Sequence, residues 1–239
     1  MPVRVAALYD VHGNLPALDA VLAELDADVI LVGGDIAQGP WPAQTLERLR
    51  ALGDRVRWIR GNADRELAQP VQSSEEEGGP PQHVLTWVRE RLAVDQLEFL
   101  SALPLTETID VDDVGRVLFC HATPRSDDEL LTKISDEPRW RAALESVDAD
   151  VVVCGHTHVQ FDRLVGDVRL VNAGSVGMPY EAQPGAYWLA IGPEVQHRRT
   201  EYDTDAATRA IAAIWPDEWP SASPEEATEF FERLSRKRG

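Results

Sequence analysis

Seven short apolar runs, rich in valine, isoleucine, leucine and alanine, recur along the chain. The runs are VRVAALY at 3–9, DVILVGG at 28–34, VRWIRG at 56–61, GRVLFCH at 115–121, DVVVCGH at 150–156, VRLVNAG at 168–174 and GAYWLAI at 185–191. Short apolar runs bounded by glycine or polar residues are typical of buried strands. Segments with helical periodicity, such as 14–27 and 42–52, separate the early runs, and this alternation predicts parallel strands covered by helices. The later runs are too close together for many helical crossovers, which predicts a more antiparallel second half. We therefore expect an α/β fold with a two-layer sheet core and helices outside.

The length of 239 residues is sufficient for a sizeable core, and we predict a single domain over residues 1–239. Residues 69–82, QPVQSSEEEGGPPQ, combine Gly, Pro, Ser and Glu and so predict a flexible surface excursion. A helical extension is expected over about 204–239. Within it, Ser223 and Glu226 match a capping box around a first-turn proline.

The formal net charge is −18, and lysine occurs only at Lys133 and Lys237. Such a surface repels a nucleic-acid backbone, so we expect no stable nucleic-acid complex. The acidic excess also fits adaptation to high intracellular salt. No apolar stretch approaches the length of a membrane span and no leader pattern opens the sequence, so we predict a cytoplasmic protein without membrane contact. Cys120 and Cys154 are expected to be small buried strand residues rather than a disulfide framework.

Polar residues of the kinds that bind metal ions follow five of the runs, at the points where the strands are predicted to end. They are Asp10 and His12, Asp35, Asn62 and Asp64, His121, and His156 with His158. Ligands of open α/β sheets bind outside the carboxyl ends of the strands, so these side chains are expected to converge. A single histidine at a strand end is more often a hydrogen-bonded loop residue, and the prediction therefore depends on the whole set.

A buried cluster of carboxylates and imidazoles is costly without a counter-charge, which a metal ion supplies. Apart from Asp64, these residues are seven ligands, namely two Asp, one Asn and four His. Seven are too many for one tetrahedral zinc but suit two ions that share a bridging carboxylate. Mixed nitrogen and oxygen ligands favour Mn, Fe, Zn, Co or Ni over calcium. We therefore predict two divalent metal ions per chain and a hydrolytic reaction.

Five motifs occur in order: DVH at 10–12, GGD at 33–35, GNAD at 61–64, CHA at 120–122 and GHTH at 155–158. Together they resemble the calcineurin-like metallophosphoesterase pattern D-x-H, G-D, G-N-H-D/E, H and G-H-x-H. The resemblance is to the small bacterial and archaeal phosphodiesterase branch in particular, and it spans residues 3 to about 192. It implies two packed mixed β-sheets flanked by helices, a four-layer fold.

The resemblance also implies roles for single residues. Asp10, His12 and His158 would hold one metal ion, Asn62, His121 and His156 the other, and Asp35 would bridge them. Where the family usually has a histidine that acts on the scissile phosphate or the leaving group, this chain has Ala63. Asp64 matches the carboxylate that orients that histidine.

These roles imply a dinuclear metal-dependent phosphoesterase in which a metal-bridging hydroxide attacks phosphorus while Asn62 helps to stabilise the developing charge. Without the histidine, we expect phosphodiesters with good leaving groups, including nucleotides, to be the substrates. Phosphomonoesters, dinucleoside polyphosphates and a non-catalytic scaffold of the same fold are the alternatives. Arg125 is a candidate substrate contact or, more simply, a surface arginine paired with neighbouring carboxylates. Backbone groups near Gly155 and the turn at Asn172 and Ser175 are expected to fix the imidazole tautomers, although Asn172 could equally be a simple turn residue after a strand. No pattern in the sequence indicates the oligomeric state.

Overall fold

The computed structural model describes residues 3–69 and 81–238. Its strands are β1 (Val5–Leu8), β2 (Val29–Val32), β3 (Val56–Trp58), β4 (Thr106–Val111), β5 (Gly115–Cys120), β6 (Val151–Cys154), β7 (Phe161–Val165), β8 (Val168–Asn172), β9 (Ala186–Ile191) and β10 (Val195–Thr200). Its α-helices are α1 (Leu15–Glu24), α2 (Pro42–Arg50), α3 (Asn62–Ala68), α4 (Gln82–Arg89), α5 (Val94–Ser101), α6 (Glu137–Ala143), α7 (Thr204–Ile214) and α8 (Pro224–Arg238).

The strands form two mixed five-stranded sheets. The first has the order β10-β9-β1-β2-β3, and the second has the order β4-β5-β6-β8-β7. β1, β2 and β3 are parallel, whereas β9 and β10 run antiparallel to their neighbours. In the second sheet β5, β6 and β8 are parallel, and the two edge strands β4 and β7 are antiparallel. The predicted α/β class, with early parallel and later antiparallel pairing, is confirmed.

Alternate residues of β1 face opposite layers. Val5 and Ala7 pack between the sheets, against Phe119 and other residues of the second sheet. Ala6 and Leu8 point the other way, into a core shared with the helices that cover the first sheet. A third core lies beneath α6, and both cysteines lie in it as buried free thiols. Helices therefore cover both outer faces of the sheet pair, as the four-layer prediction requires.

Three strands, β4, β7 and β10, were not among the seven predicted runs, and all three lie at sheet edges. Their residues are largely exposed or half-buried, so they lack the continuous apolar character of central strands. The predicted excursion over 69–82 falls mainly on residues outside the described ranges. No helix within residues 3–69 and 81–238 is long and apolar enough to cross a membrane.

The predicted C-terminal helix is present as α8. The Ser223 hydroxyl accepts a hydrogen bond from the Glu226 backbone N–H at 3.2 Å, and the Glu226 carboxylate accepts one from the Ser223 N–H at 2.9 Å. This reciprocal pair is the capping box that the sequence indicated.

Candidate metal centre

Two groups of side chains lie next to each other where strands of both sheets end. The first, called the Asp10 group, consists of Asp10, His12 and His158; the second, called the Asp35 group, consists of Asp35, His121 and His156. Within each group one potential ligand atom per residue lies within 4.8 Å of the others. The structure thus brings together six of the seven predicted ligands, drawn from four separate strand ends.

The free oxygens of the two carboxylates lie between the groups. Asp35 Oδ2 is 3.5 Å from His121 Nε2 and 3.7 Å from His12 Nε2. Asp10 Oδ1 is 3.3 Å from His158 Nε2 and 3.8 Å from His121 Nε2. Each carboxylate therefore touches histidines of both groups, as a ligand shared between two ions must.

The second oxygen of each carboxylate is fixed by a backbone N–H. Asp10 Oδ2 accepts a hydrogen bond from the His156 N–H at 2.9 Å, and Asp35 Oδ1 accepts one from the Ala63 N–H at 2.9 Å. Two glycines permit this close approach. A Cβ atom would lie 2.0 Å from Asp35 Oδ1 at Gly61 and 2.5 Å from Asp10 Oδ2 at Gly155.

The backbone of the site is strained in a consistent way. Left-handed φ values between 45° and 66° occur at Asp10, His12, Asp35, His156 and His158. A non-glycine residue held in such a sparsely populated region costs on the order of 1 kcal/mol or more, and such residues cluster at functional sites. The sharp bends turn the side chains away from the strand direction and into the crevice.

Backbone carbonyls orient three of the imidazoles. The Nδ1 atoms of His12, His121 and His158 lie 3.1, 2.8 and 2.7 Å from the carbonyl oxygens of Gln38, Gly33 and Met178. A ring that donates from Nδ1 presents Nε2 to the centre, which is the arrangement typical of metal-ligating histidines. The carbonyls of Gln38, Gly33 and Met178 thus fix the ring orientations, a role that we expected of the turn at Asn172 and Ser175.

That turn instead joins the loops of the site. Asn172 Nδ2 donates to the Gly155 carbonyl at 2.6 Å, and Ser175 Oγ donates to the Asp10 carbonyl at 2.7 Å. Both side chains are buried. They hold the loop after β6 and the loop after β1 in register.

The buried carboxylates and imidazoles of the two groups shift one another's pKa values. Burial opposes protonation of His121, yet the Asp35 and Asp10 carboxylates raise its pKa to about 10. Burial and the charge on His121 lower the pKa of His156 to about 3, and burial lowers that of His12. Burial alone would raise the pKa of Asp35, but the neighbouring histidines hold it below its usual range. The two carboxylates thus favour a positive charge beside them, whether on His121 or on a bound cation.

Several buried ligand atoms make no hydrogen bond within the described residues. They are Asp10 Oδ1, Asn62 Oδ1, His121 Nε2 and His156 Nε2. An unsatisfied buried polar atom costs about 1–3 kcal/mol, so four such atoms at one place favour a bound cation there. Carboxylate, amide oxygen and imidazole ligands suit borderline divalent metals. The residues present therefore fit the metal ions that the sequence predicts.

Asn62, the seventh predicted ligand, is the first residue of α3, one helical turn before the half-buried Glu66. Burial and the Asp35 charge raise the pKa of the Glu66 carboxyl to about 7. Ala63 is only 1% exposed. Sequence reasoning missed Glu66, although it stands one helical turn after Asn62.

Asp64 is fully buried, and its carboxylate binds backbone N–H groups. It accepts hydrogen bonds from the N–H groups of Asp35 at 2.9 Å, Ile36 at 3.0 Å and Gly61 at 2.9 Å. These contacts tie the loop after β2 to the start of α3. The carboxylate predicted to orient a catalytic histidine thus positions the loop that carries Asp35.

Arg125 is directed elsewhere. Its guanidinium donates to both carboxylate oxygens of Glu129, at 2.9 and 2.5 Å, and to the Ala142 carbonyl at 2.7 Å. The structure does not bring it into either histidine group, and these contacts match the simpler expectation of a paired surface arginine. Asp128, in the same loop, lies closer to the centre, with Oδ1 3.9 Å from His156 Nε2.

Comparisons with known proteins agree with this geometry. The sequence model of the calcineurin-like phosphoesterase superfamily domain matches residues 3–191. Phosphodiesterase YfcE of Escherichia coli is 25% identical over 75% of this chain and 83% of its own length. A symmetrical bis(5'-nucleosyl)-tetraphosphatase of Yersinia enterocolitica is 32% identical over 50% of this chain, and the match spans only 42% of that relative's length.

Among solved structures, a metallophosphoesterase from Sphaerobacter thermophilus shares the fold. Its TM-score is 0.71 at 22% identity, and the alignment covers 98% of this chain and 100% of that one. The family model matches most of the chain, and the four-layer fold and the two ligand groups agree with that match. We conclude that this chain belongs to the calcineurin-like phosphoesterase superfamily.

Proposed function

We propose that the protein is a dinuclear metal-dependent phosphoesterase and that its preferred substrates are small phosphodiesters. The observation that carries the proposal is the position of Asp35 Oδ2, 3.5 Å from His121 Nε2 and 3.7 Å from His12 Nε2. A single carboxylate oxygen between histidines of two groups fits a bridge between two cations.

In this proposal Asp10, His12 and His158 hold one ion. Asn62, His121 and His156 hold the other, and Asp35 serves both. Two divalent cations, with manganese the first to test among Mn, Fe, Zn, Ni and Co, would supply Lewis-acid stabilisation of the phosphoryl oxygens and lower the pKa of the attacking water.

The chain contributes preorganisation. The Gln38 and Met178 carbonyls hold His12 and His158 with Nε2 toward the centre, and the Ala63 N–H holds Asp35. Because these contacts exist before substrate binds, the site does not have to reorganise as charge develops on phosphorus. Asn62, at the start of α3, adds a polar side chain next to the reacting phosphoryl group.

Diesters are favoured because Ala63 provides no proton for the leaving group and because YfcE, a relative over 75% of this chain, is a phosphodiesterase. Hydrolysis of dinucleoside polyphosphates is the second candidate, since a tetraphosphatase matches half of the chain. Phosphomonoesters are the third. A cytoplasmic location and a nucleotide-like substrate remain predictions from the sequence.

The alternative to an enzyme is a non-catalytic scaffold protein of the same fold. It is disfavoured because a protein without metal chemistry gains nothing from strained backbone at five ligand-type positions or from four unsatisfied buried atoms.

The test is a panel assay of metal-stripped protein reloaded with Mn, Co, Ni or Zn. The substrates are bis-p-nitrophenyl phosphate, p-nitrophenyl phosphate and a dinucleoside tetraphosphate. We expect two ions per chain and the highest kcat/KM on the diester. His158→Asn should lose metal and activity. The matched change His83→Asn, at an exposed ring whose Nε2 lies 3.8 Å from Asp217 Oδ2, should keep both. A protein that binds no ion, or hydrolyses none of the panel, would refute the proposal.

A further inference from the structure

Helix α8 lies beyond residues 3–191, the part of the chain that matches the family domain, yet it is firmly docked on it. The anchor is Glu232, a carboxylate only 5% exposed. Its oxygens accept hydrogen bonds from Ser135 Oγ at 2.5 Å, Thr132 Oγ1 at 3.1 Å and Arg139 Nη1 at 2.8 Å. A buried carboxylate with three donors outside α8 holds the helix in one register, because a shifted helix would lose these partners.

An aromatic stack connects α8 to the Asp10 group. The Phe231 ring lies 6.2 Å from the Tyr180 ring, and Tyr180 stacks on His158 with centroids 5.2 Å apart and planes only 19° apart. The Tyr180 backbone N–H also donates to the His158 carbonyl at 3.1 Å. The ligand histidine is thus backed by a tyrosine, which is in turn backed by the helix.

An ionic contact connects the same helix to the Asp35 group. Arg238, at the end of α8, pairs with Asp128 at 3.2 Å, and Asp128 Oδ1 is 3.9 Å from His156 Nε2. Helix α8 therefore reaches both histidines of the GHTH motif, His156 and His158, by way of one intermediate residue each.

The Tyr180 ring restrains a motion of the His158 ring that the hydrogen bond from His158 Nδ1 does not prevent. His158 donates from Nδ1 to the Met178 carbonyl at 2.7 Å, which fixes the direction of one ring atom. The ring can still rock about that bond and carry Nε2 away from Asp10. A parallel aromatic face at 5.2 Å blocks the rocking on one side. Hydrogen-bonding partners of a ligand histidine typically change metal affinity by about 10–100-fold when they are removed, and we expect the lower end of that range for a stacked ring.

We propose that Tyr180 and Phe231 are positioning residues for His158, and that α8 thereby sets the affinity of the Asp10 group for its cation. This inference depends on the proposed function, because it assumes that His158 is a metal ligand. It adds that part of the metal affinity is supplied from outside the family domain.

The experiment measures Mn²⁺ binding to the full-length, metal-stripped protein by isothermal titration calorimetry, with no substrate present. Tyr180→Leu removes the flat ring and keeps apolar volume, and Phe231→Ala removes the support behind it. Each should weaken one of the two binding events about tenfold and leave the other within about twofold. Tyr180→Phe keeps the ring and loses only a hydroxyl that lies 3.8 Å from Met178 Sδ, so it should bind as the unmodified protein does.

Phe230→Ala is the matched control, because it deletes the same atoms from the neighbouring position, where the ring packs on Phe231 and Arg233. It should leave both binding events within about twofold. Circular dichroism verifies that each variant is folded. If Phe231→Ala is unfolded, the comparison of Mn²⁺ affinity between Tyr180→Leu and Tyr180→Phe tests the inference. Unchanged binding in Tyr180→Leu would overturn the inference, as would equal weakening of both events. An unmodified protein that binds none of Mn²⁺, Zn²⁺, Co²⁺ and Ni²⁺ would instead refute the proposed function.

Discussion

The Nε2 atoms of His12 and His158 lie 3.2 Å apart in a buried site. Both rings have Nδ1 within hydrogen-bond distance of a carbonyl oxygen, so in their neutral forms they turn lone pairs toward each other. Burial lowers the pKa of His12, which disfavours a proton in the gap. Facing lone pairs repel, and a cation bound by both nitrogens removes the repulsion. The loops after β1 and β6 therefore meet in an arrangement that a cation bound between the two rings would stabilise.

Replacing Asp35 by Asn should abolish hydrolysis and lower the metal content to below one ion per chain. One oxygen of Asp35 faces histidines of both groups, so removing its charge weakens two sites at once. His12→Asn, which removes a ligand from one group, should keep about one ion. Metal analysis after dialysis, together with kcat/KM on an aryl diester, measures both. Retention of two ions and near-normal turnover in Asp35→Asn would exclude the bridging role.

Metal binding should release about one proton at pH 7.5. The Asp35 and Asp10 carboxylates overcome the effect of burial and raise the pKa of His121 to about 10, whereas a ligand imidazole must be neutral. Affinity should therefore fall about tenfold per pH unit as the pH is lowered below 10. Calorimetry in two buffers with different ionisation enthalpies counts the protons. Release that is unchanged in His121→Asn would assign the proton to another group.

The same histidine makes the stability of the metal-free protein depend on pH. Its folded pKa, about 10, lies above the ordinary value of 6.5. The stabilisation it contributes is therefore complete below pH 6.5 and is lost as the pH rises toward 10. Urea unfolding at pH 6.5 and pH 9.5 should show this loss in the metal-free protein. His121→Asn should remove it.

Replacing Asp64 by Ala should lower the free energy of unfolding by on the order of 3 kcal/mol or more, because three buried backbone N–H groups lose their acceptor at about 1–3 kcal/mol each. Those groups belong to Asp35, Ile36 and Gly61. Asp54→Ala, the same change at an exposed position, should stay within about 0.5 kcal/mol of the unmodified protein. Urea denaturation compares the two. Equal losses would show that the Asp64 carboxylate does not support the loop.

Across a series of aryl phosphodiesters, log kcat should fall steeply as the pKa of the leaving group rises, because Ala63 provides no proton. Ala63→His should flatten the slope and help poor leaving groups most. Ala63 is buried, so the new ring must displace its neighbours, and Ala63→Leu controls for bulk without an acid. A shallow slope in the unmodified enzyme would indicate another proton donor, and Glu66→Gln is then the next variant.

The melting temperature should rise with added KCl. The net charge of −18 repels itself in the folded chain, and the screening length shortens from about 8 Å at physiological ionic strength to about 3 Å at 1 M. Scanning calorimetry between low and molar KCl, with the protein metal-free throughout, measures the trend. A flat or falling melting temperature would remove the high-salt interpretation of the acidic surface.

The sequence predicted central strands better than edge strands, for a physical reason. β1, β2 and β6 are buried on both faces, so each is a continuous apolar run that is recognisable in the sequence. β4, β7 and β10 each leave one edge and much of their side-chain surface in solvent, so their residues are mixed. α8 was predictable because its capping box is a local hydrogen-bond pattern.

The sequence by itself determined the fold class and which ligand-type side chains converge, because each of them follows a buried strand and strand ends converge in such sheets. Only the tertiary structure decided what each residue contacts. It placed Asp64 under three backbone N–H groups, turned Arg125 to Glu129, and brought Phe231 behind Tyr180 and His158. Asp64 binds the Asp35 N–H 29 positions away, and Phe231 packs on Tyr180, which lies 51 positions away in the sequence. No local propensity encodes contacts of this length. They depend on how the sheets and α8 pack, which is a property of the whole folded chain.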